Sequence, residues 1–178
     1  YSYSAVLDGQ TKSGPTDMVI AKWHSNGTRL WTRLLGGSGD DGGNGIATDS
    51  EGNVFVIGFS NSPVLDGQTN SGPANSDIVI SKWHSNGTRL WTRLLGGTNY
   101  DYGNGIAVDA EGSVFVTGYT DSSDLDGLPN SGGTDIVISK WGSGGLRLWT
   151  RLLGGSNDDN GNGIVVDSEG NVFVTGST

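Results

Sequence analysis

The segment Lys82–Gly97 has the sequence KWHSNGTRLWTRLLGG, and the rest of the chain can be placed relative to it. The same residues occur unchanged at Lys22–Gly37, and they return with three changes at Lys140–Gly155. The chain is therefore three copies of one unit. This predicts a repeat architecture in which each unit buries its faces against its neighbours.

The Leu-Asp-Gly triplet occurs once in each copy and gives the boundaries of the repeats. Aligning the three triplets divides a single repeat domain, residues 1–178, into the units 1–58, 59–118 and 119–178. The 32 glycines recur at fixed positions in these units. They therefore indicate turns between regular elements and not low-complexity disorder.

Each unit contains four candidate β-strands, because β-branched and aromatic residues are concentrated in short runs between Gly and Asn. Around the central copy these are Asp77–Trp83, Arg89–Leu95, Asn104–Asp109 and Ser113–Tyr119. The Asn-Gly pair at 86–87 predicts a hairpin turn in which both residues accept positive φ. A helix over Arg89–Leu95 is the alternative, but about seven residues are marginal for a helix without strong packing.

Four sequential antiparallel strands are typical of one blade of a β-propeller. The predicted fold class is all-β: a β-propeller built from three tandem four-stranded blade repeats, with the small-residue strand innermost. Complete blades run over Asn44–Leu95 and Asn104–Leu153, so one blade is split between the termini, in Asp17–Leu35 and Asn162–Ser177. A β-prism or a trefoil is the alternative, although a trefoil unit is usually shorter than this repeat.

The split blade bears on assembly. Three blades are fewer than the four to eight of most propellers, so closing one chain on itself would strain the packing. Because unpaired strand edges invite another chain, we expect self-association through the terminal half-blades. A two-chain, six-blade ring is the simplest result, and a junction that does not close would give a filament. The other interpretation is that the chain is a piece of a longer tandem array.

The composition limits the partners. The formal net charge is -9 and the pI is near 4.4, which argues against nucleic acid and anionic membranes because both attract basic surfaces. Without cysteine the chain has no disulfides or thiolate chemistry. No apolar run reaches the roughly 20 residues of a membrane span, and residues 1–4 lack signal-peptide features. We therefore expect no membrane insertion.

Acidic and amide side chains cluster in the long loops expected on one face of the propeller. The candidate ligand-binding residues of this loop face are Asp40, Asp41, Asn44, Tyr100, Asp101, Asn104, Asp158, Asp159 and Asn162. Such loops can supply oxygen ligands for calcium, although none has EF-hand spacing, and the same residue types cap turns. The sequence leaves a calcium cofactor open and identifies no particular metal ligands.

Tryptophan and histidine also recur in the copies. The tryptophans are Trp23, Trp31, Trp83, Trp91, Trp141 and Trp149. Exposed tryptophan beside Asp and Asn would suit sugar binding, whereas packing between blades is the commoner use of repeated tryptophan. His24 and His84 lie in predicted turns, and the third copy has Gly142 instead. We interpret the histidines as solvated turn residues.

The sequence identifies no catalytic residues. It contains no Ser-His-Asp order, P-loop, dinucleotide fingerprint or zinc signature, and Asp158 and Asp159 are adjacent in sequence, with nothing to place them across a cleft. Near-identical copies also argue against an enzyme, because an active site usually needs one asymmetric arrangement.

The repeated motifs resemble a known family. Gly103–Thr120 (GNGIAVDAEGSVFVTGYT), the Leu-Asp-Gly loop, DIVISKW at 77–83 and NGTRLWTRLLG at 86–96 are similar to the bacterial β-propeller repeat called the SBBP repeat. The resemblance covers the chain in three tandem copies. It implies a propeller blade and a secreted or cell-surface bacterial protein, and it implies no catalytic residues.

These observations predict a non-enzymatic, extracellular structural or adhesive module that assembles through blade packing and shared terminal strands. The alternative is a multivalent, lectin-like propeller that binds carbohydrate, with or without calcium, because repeated weak sites gain avidity. A hydrolase is a third option. A glycan or a cell-surface protein is the expected external partner.

Overall fold

The computed structural model describes residues 5–72 and 75–178, and the regular structure in these residues is all β-strand. Residues 1–4, which were considered above for signal-peptide features, lie outside the described part. The strands are β1 (Val6–Leu7), β2 (Gln10–Thr11), β3 (Met18–Trp23), β4 (Arg29–Leu35), β5 (Asp41–Thr48), β6 (Val54–Ser60), β7 (Val64–Leu65), β8 (Gln68–Thr69), β9 (Asp77–Trp83), β10 (Arg89–Leu95), β11 (Asp101–Val108), β12 (Val114–Thr120), β13 (Asp124–Leu125), β14 (Leu128–Pro129), β15 (Asp135–Trp141), β16 (Arg147–Leu153), β17 (Asn160–Val166) and β18 (Val172–Ser177). No helix in the described ranges is long and apolar enough to cross a membrane.

The long strands form two complete sheets and two half-sheets. The complete sheets have the order β5-β6-β9-β10 and β11-β12-β15-β16, and neighbouring strands are antiparallel. The half-sheets are β3-β4 and β17-β18. The predicted strand content and order are therefore confirmed, and Arg89–Leu95 is a strand, as predicted, and not the alternative helix. Ring closure and the number of blades in a ring stay predictions.

The main core lies between the two complete sheets. Strand β6 is buried along its whole length, and Phe55 and Ile57 from this sheet pack in one cluster with Val114, Val116 and Trp141 from the other. The β-branched runs that predicted the strands thus also supply the side chains of the interface between sheets. Burying a side chain of this size contributes roughly 1.5–3 kcal/mol.

The first strands of successive sheets lie side by side, since β11 contacts both β5 and β17. Their small residues allow this approach. A Cβ on Gly45, for example, would lie 2.8 Å from the carbonyl oxygen of Asn104 in the next strand. The expectation that the glycine-rich strand lies where the sheets crowd together agrees with this packing.

The outer hairpin β9-β10 differs in detail from the predicted turn. His84 N donates to the carbonyl of Thr88 at 2.8 Å, and Gly87 N donates to the carbonyl of His84 at 2.8 Å. Gly87 has φ of 85°, but Asn86 does not have positive φ. The prediction of positive φ at both residues was wrong, because this is a longer turn that needs one left-handed glycine and not two such residues.

The Leu-Asp-Gly triplets form short hairpins, β1-β2, β7-β8 and β13-β14, within segments predicted to be long loops. In the second copy Asp66 and Gly67 have φ of 51° and 76°, which is the backbone of a two-residue type I′ turn. Asp66 also pairs with Arg89, and Leu65 is buried. The triplet therefore forms a short hairpin that is held against the sheet by this ion pair and by the buried leucine.

Candidate functional site: open sheet edges and the loop face

The half-sheets present two open edges of complementary type. In the complete sheets the second strand pairs with the third, and β12 and β15 align over seven residue pairs. Strand β18 corresponds in sequence to β12, and β3 corresponds to β15. Within the described residues, β18 and β3 each lack this neighbour. We call the free sides of β18 and β3 the open edges.

Side chains at the open edges are exposed although their counterparts in the complete sheets are core residues. Phe173 in β18 is 58% exposed, whereas Phe115 in β12 is 1% exposed. Trp23 at the end of β3 is 58% exposed, whereas Trp141 is 3% exposed. Large apolar groups left in water at a strand edge are typical of an interaction surface.

The complete sheets also show which charged group belongs next to the exposed phenylalanine. Lys140 faces Phe115 across the β12–β15 pair, and its Nζ lies 4.7 Å from the centroid of the Phe115 ring. This is a cation–π contact. Lys22 on one open edge and Phe173 on the other occupy the equivalent positions, and Lys22 Nζ donates to the carbonyl oxygen of Ser85 at 3.0 Å.

At two junctions, a Trp and an Arg of the outermost strand of one sheet bind the outer turn of the following sheet, and we call this arrangement a latch. Trp91 Nε1 donates to the carbonyl oxygen of Ser143 at 3.1 Å, and Arg93 Nε donates to that of Gly145 at 2.8 Å. The first copy makes the same two bonds at the same distances. A Cβ on Gly145 would lie 3.0 Å from the Trp91 ring, so a glycine is needed where the turn meets the indole.

The third copy of this latch holds no turn within the part of the chain that the structure describes. Arg151 still lies over the Trp149 ring, 5.9 Å from its centroid, and donates to the carbonyl of Thr150 in its own strand. Arg151 is therefore placed over its tryptophan as Arg33 and Arg93 are, but no turn among the described residues lies against it.

The three candidate asparagines lie on the innermost strands and not in the loops. Asn44 Nδ2 donates to the carbonyl oxygen of Gly103, and Asn104 Nδ2 to that of Gly161, both at 2.9 Å. Each bond connects one sheet to the next. Asn162 is exposed, and no equivalent bond is found for it among the described residues.

Two candidate carboxylates on the loop face bind neighbouring loops. Asp40 Oδ1 accepts a hydrogen bond from Thr16 Oγ1 at 2.8 Å, and Asp158 Oδ1 accepts one from the Thr134 amide at 3.1 Å. Both aspartates are exposed. Their contacts are those of residues that order loops, and their other oxygens remain accessible.

The remaining candidate aspartates, Asp41, Asp101 and Asp159, are buried. Each accepts the backbone N–H of the glycine four residues earlier, at 2.7 to 2.8 Å, which is a turn-capping role. Burial raises the pKa of Asp41, although hydrogen bonds from Ser60, Gly37 and Ser62 oppose it. Burial also raises the pKa of Asp101, to about 6.

Tyr100 belongs to an aromatic cluster that sequence reasoning missed. Its ring stacks at 6.4 Å on Tyr102, which lies 5.3 Å from Tyr119 and 4.8 Å from Phe59. Tyr100 is 44% exposed. Burial raises the pKa of Tyr119, and the neighbouring Tyr102 and Asp121 raise it further. The signal was a departure from the repeat, because the other copies have Gly and Asn where this one has Tyr102.

The histidines lie in exposed outer turns, as the sequence predicts. The Nδ1 atom of His84 accepts a hydrogen bond from the Asn86 amide at 3.2 Å.

Among residues 5–72 and 75–178, no three His, Asp or Glu side chains converge as a metal site would require. That the nine candidate residues bind a ligand, or that calcium binds, therefore stays a prediction.

The arrangement of four-stranded sheets, joined through their first strands and outer hairpins, defines a β-repeat protein of the propeller type. The family model for the SBBP beta-propeller repeat matches residues 30–63, 90–126 and 148–178, which is more than half of the chain. The chain belongs to the SBBP β-propeller repeat family. The resemblance expected from the sequence is thereby confirmed, and we call the four-stranded sheets blades from here on.

Two curated relatives align with nearly the whole chain. The chain is 31% identical to the regulatory protein FlaEY of Caulobacter vibrioides, over 96% of the chain and 19% of that protein. It is 27% identical to an uncharacterized WD repeat-containing protein of Acanthamoeba polyphaga mimivirus, over 96% of the chain and 14% of that protein. The chain thus spans less than a fifth of the length of these relatives.

Proposed function

We propose that this chain is a structural or adhesive repeat module that assembles by completing blades between copies, in which the open edge of β18 pairs with that of β3. The observation that carries the proposal is the exposure of Phe173 and Trp23, whose equivalents Phe115 and Trp141 are core residues. Covering two such aromatic side chains would contribute several kcal/mol, since full burial of a large side chain is worth roughly 1.5–3 kcal/mol.

The register of the proposed junction follows from the complete blades. Val116 faces Ser139 in the β12–β15 pair, and the residues at the same positions of the open edges are Val174 and Ala21. All other pairs follow in antiparallel order, which places Phe173 opposite Lys22. The same alignment brings the turn after β3 of one copy to Trp149 and Arg151 of the other. These two side chains could then make the hydrogen bonds that Trp91 and Arg93 make to their turn.

Directly opposite residues in an antiparallel pair have Cβ atoms about 4.5–5.5 Å apart, and diagonal neighbours are about 7–8 Å apart. Because the chain has no cysteine, this difference can be tested by cross-linking. We would mix an Ala21→Cys chain with a Val174→Cys chain that carries a size tag, and then oxidise. We expect a mixed disulfide dimer.

The matched control replaces Ala21→Cys by Val19→Cys, which shifts the pair by two residues. Strong cross-linking of Ala21→Cys with Val174→Cys and weak cross-linking of the control supports the shared blade. Equal yields for both pairs, or dimers formed only between identical chains, would overturn it. The mass of the untreated chain across a dilution series then separates a closed two-chain, six-blade ring from an open filament.

The physiological setting that we propose is extracellular or at the cell surface, without catalysis. The support is the family membership together with near-identical copies, which suit repeated contacts better than one asymmetric active site. Immunodetection on intact cells with and without surface protease checks the location. Protection of the protein in intact cells would contradict it.

Carbohydrate binding is the second candidate function, and the aromatic cluster favours it. Tyr100 exposes an aromatic ring beside Asp121, whose amide donates to the Tyr100 carbonyl at 2.8 Å. Rings of this kind stack on sugar C–H faces, and a nearby carboxylate can accept hydroxyl hydrogen bonds. A glycan array with wild-type and Tyr100→Ala chains tests this, and equal signals from the two would remove the site.

A further inference from the structure

Two buried carboxylates meet where one complete blade joins the next. Asp77 begins β9 of the first blade, Asp101 begins β11 of the second, and both side chains are 0% exposed. A backbone hydrogen bond of 2.7 Å from Asp101 N to the carbonyl of Ser76 brings the two strand ends together. The two aspartates therefore lie at a structural joint.

The side chains of Asp77 and Asp101 both approach Gly96. A Cβ on Gly96 would lie 2.2 Å from Oδ1 of Asp77 and 2.9 Å from Oδ2 of Asp101. Both side chains thus face the same glycine, and any larger residue there would collide with them. The third joint repeats the arrangement, since a Cβ on Gly154 would lie 2.3 Å from Oδ1 of Asp135.

Hydrogen bonds reach only one oxygen of each carboxylate. Oδ2 of Asp77 accepts from the Ser71 amide at 2.9 Å. Oδ2 of Asp101 accepts from the Gly97 amide at 2.8 Å and from Ser122 Oγ at 3.1 Å. Oδ1 of each aspartate is buried without a hydrogen bond among the described residues. Buried oxygens of this kind are costly unless a donor reaches them.

The equivalent joint between the first half-blade and the first blade has the donors that this joint lacks. Asp17 accepts the Ser13 amide on Oδ2 at 2.9 Å and the Gly14 amide on Oδ1 at 3.2 Å. Asp41 accepts the hydroxyl groups of Ser60 and Ser62, one on each oxygen. With the Gly37 amide on Asp41 Oδ2, five backbone or hydroxyl donors serve the first pair on all its oxygens, whereas two oxygens of the second pair have no hydrogen bond among the described residues.

The groups that face the second pair do not neutralise it. The charged group acting on Asp101 is Asp77, and the remaining contributors are the Gly97 amide and the hydroxyl groups of Thr120 and Ser122. Thr120 stabilises ionised Asp101 but does not reach hydrogen-bond geometry with Oδ1. Ser71 is the partner of Asp77. Two carboxylates in one buried site do not both ionise readily.

We propose that the carboxyl groups of Asp77 and Asp101, which face each other across Gly96, hold one proton between them, and that this proton clamps neighbouring blades together. The inference is independent of assembly between chains. Burial raises the pKa of Asp77 and raises that of Asp101 to about 6. A pair coupled in this way titrates as a unit in two steps.

The sign of the pH dependence follows from the raised pKa. As pH rises, the unfolded chain loses its protons near 3.8, while the folded pair retains one until about pH 6. The contribution of the pair to stability is therefore full below pH 3.8 and is lost as pH rises through about 6. Above that pH, repulsion loosens the joint.

The test compares Asp77→Asn with Asp17→Asn in the whole 178-residue chain. The carboxamide introduced by Asp77→Asn can donate where the shared proton was and still accept the Ser71 amide. We expect a higher Tm than wild type at pH 8 and a smaller change in Tm between pH 4 and pH 7. Both oxygens of Asp17 accept backbone N–H groups. In Asp17→Asn the carboxamide nitrogen would replace one of these acceptors and face an N–H group, so the Tm should fall at both pH values.

Carboxyl ¹³C NMR titration gives a direct readout, and Asp77 and Asp101 should show coupled steps with one midpoint well above 3.8. Two ordinary midpoints, or a Tm of Asp77→Asn below wild type at pH 8, would overturn the proposal. Calcium chloride provides a further arm. If calcium raises the wild-type Tm and Asp77→Asn abolishes this rise, the pair binds a cation and the shared proton is refuted.

Discussion

The complete blades and the terminal half-blades contain nearly the same strands in different surroundings. Val-Phe-Val in β12 lies in the core, and the same three residues in β18 are half-buried or exposed. Intrinsic strand preference is equal in the two places, and each strand pairs with its preceding neighbour. The difference teaches that the four-stranded blade is the unit of burial, whereas the sequence repeat supplies half of one blade and half of the next.

The largest expected difference is between Phe115→Ala and Phe173→Ala. Removing a fully buried phenylalanine costs about 3–5 kcal/mol, so Phe115→Ala should lower the free energy of unfolding by about that amount. Phe173 is mostly in water, and its removal from the dilute chain should cost less than about 1 kcal/mol. Urea denaturation at low protein concentration measures both values.

Raising the protein concentration turns this comparison into a test of assembly. If β18 is covered by β3 of a second copy, Phe173→Ala should weaken association about tenfold or more, because a lost aromatic contact is worth at least about 1.4 kcal/mol. Phe115→Ala should leave association of the folded fraction unchanged. A Phe173→Ala chain that associates as tightly as wild type would place the interface elsewhere.

Arg93→Ala and Arg151→Ala form the next pair. Both guanidinium groups lie over a tryptophan ring, at 5.7 and 5.9 Å, so loss of the cation–π contact is common to both. Arg93 also holds the Gly145 carbonyl. A hydrogen bond from a charged group contributes about 1.5–3 kcal/mol, and Arg93→Ala should therefore cost roughly that much more than Arg151→Ala in denaturant titrations. Equal costs would mean that the latch adds no stability.

The sequence predicted the strands and their order because the physical signals were local: β-branched runs for β9, Asn-Gly for the outer turn, and small residues for the innermost strands. It did not reveal that the Asp-Gly pair after Leu65 makes its own type I′ hairpin, although the residue types for that turn were present. Most residues that follow this pair are polar, Gly or Pro, and such a composition is also typical of a loop.

The site was harder to predict because burial separates residues that look alike. Asp40 and Asp41 are neighbours in an acidic loop, yet one is exposed and the other is buried beneath Ser60 and Ser62. The strand β5 begins at Asp41, whereas Asp40 belongs to the loop before it. The aromatic cluster of Tyr102 arises between strands that are distant in sequence, and reasoning from what the copies share overlooks a residue that only one copy has.

The smallest expected difference concerns the asparagines of the innermost strands, Asn104→Ala and Asn162→Ala. Asn104 Nδ2 bonds to the Gly161 carbonyl at 2.9 Å, and a net contribution of about 1 kcal/mol is typical of such a bond. Asn162 is exposed, so its replacement should change the free energy of unfolding by no more than about 0.5 kcal/mol.

In the assembled state Asn162 would reach the first strand of the next copy, and its replacement should then weaken association about fivefold, since about 1 kcal/mol corresponds to that factor. Sedimentation measurements on the two variants check both halves of this prediction. An Asn162→Ala chain with lower stability as a dilute monomer would show that the last half-blade is already packed, and that the contrast between complete and open blades is smaller than the exposure of Phe173 indicates.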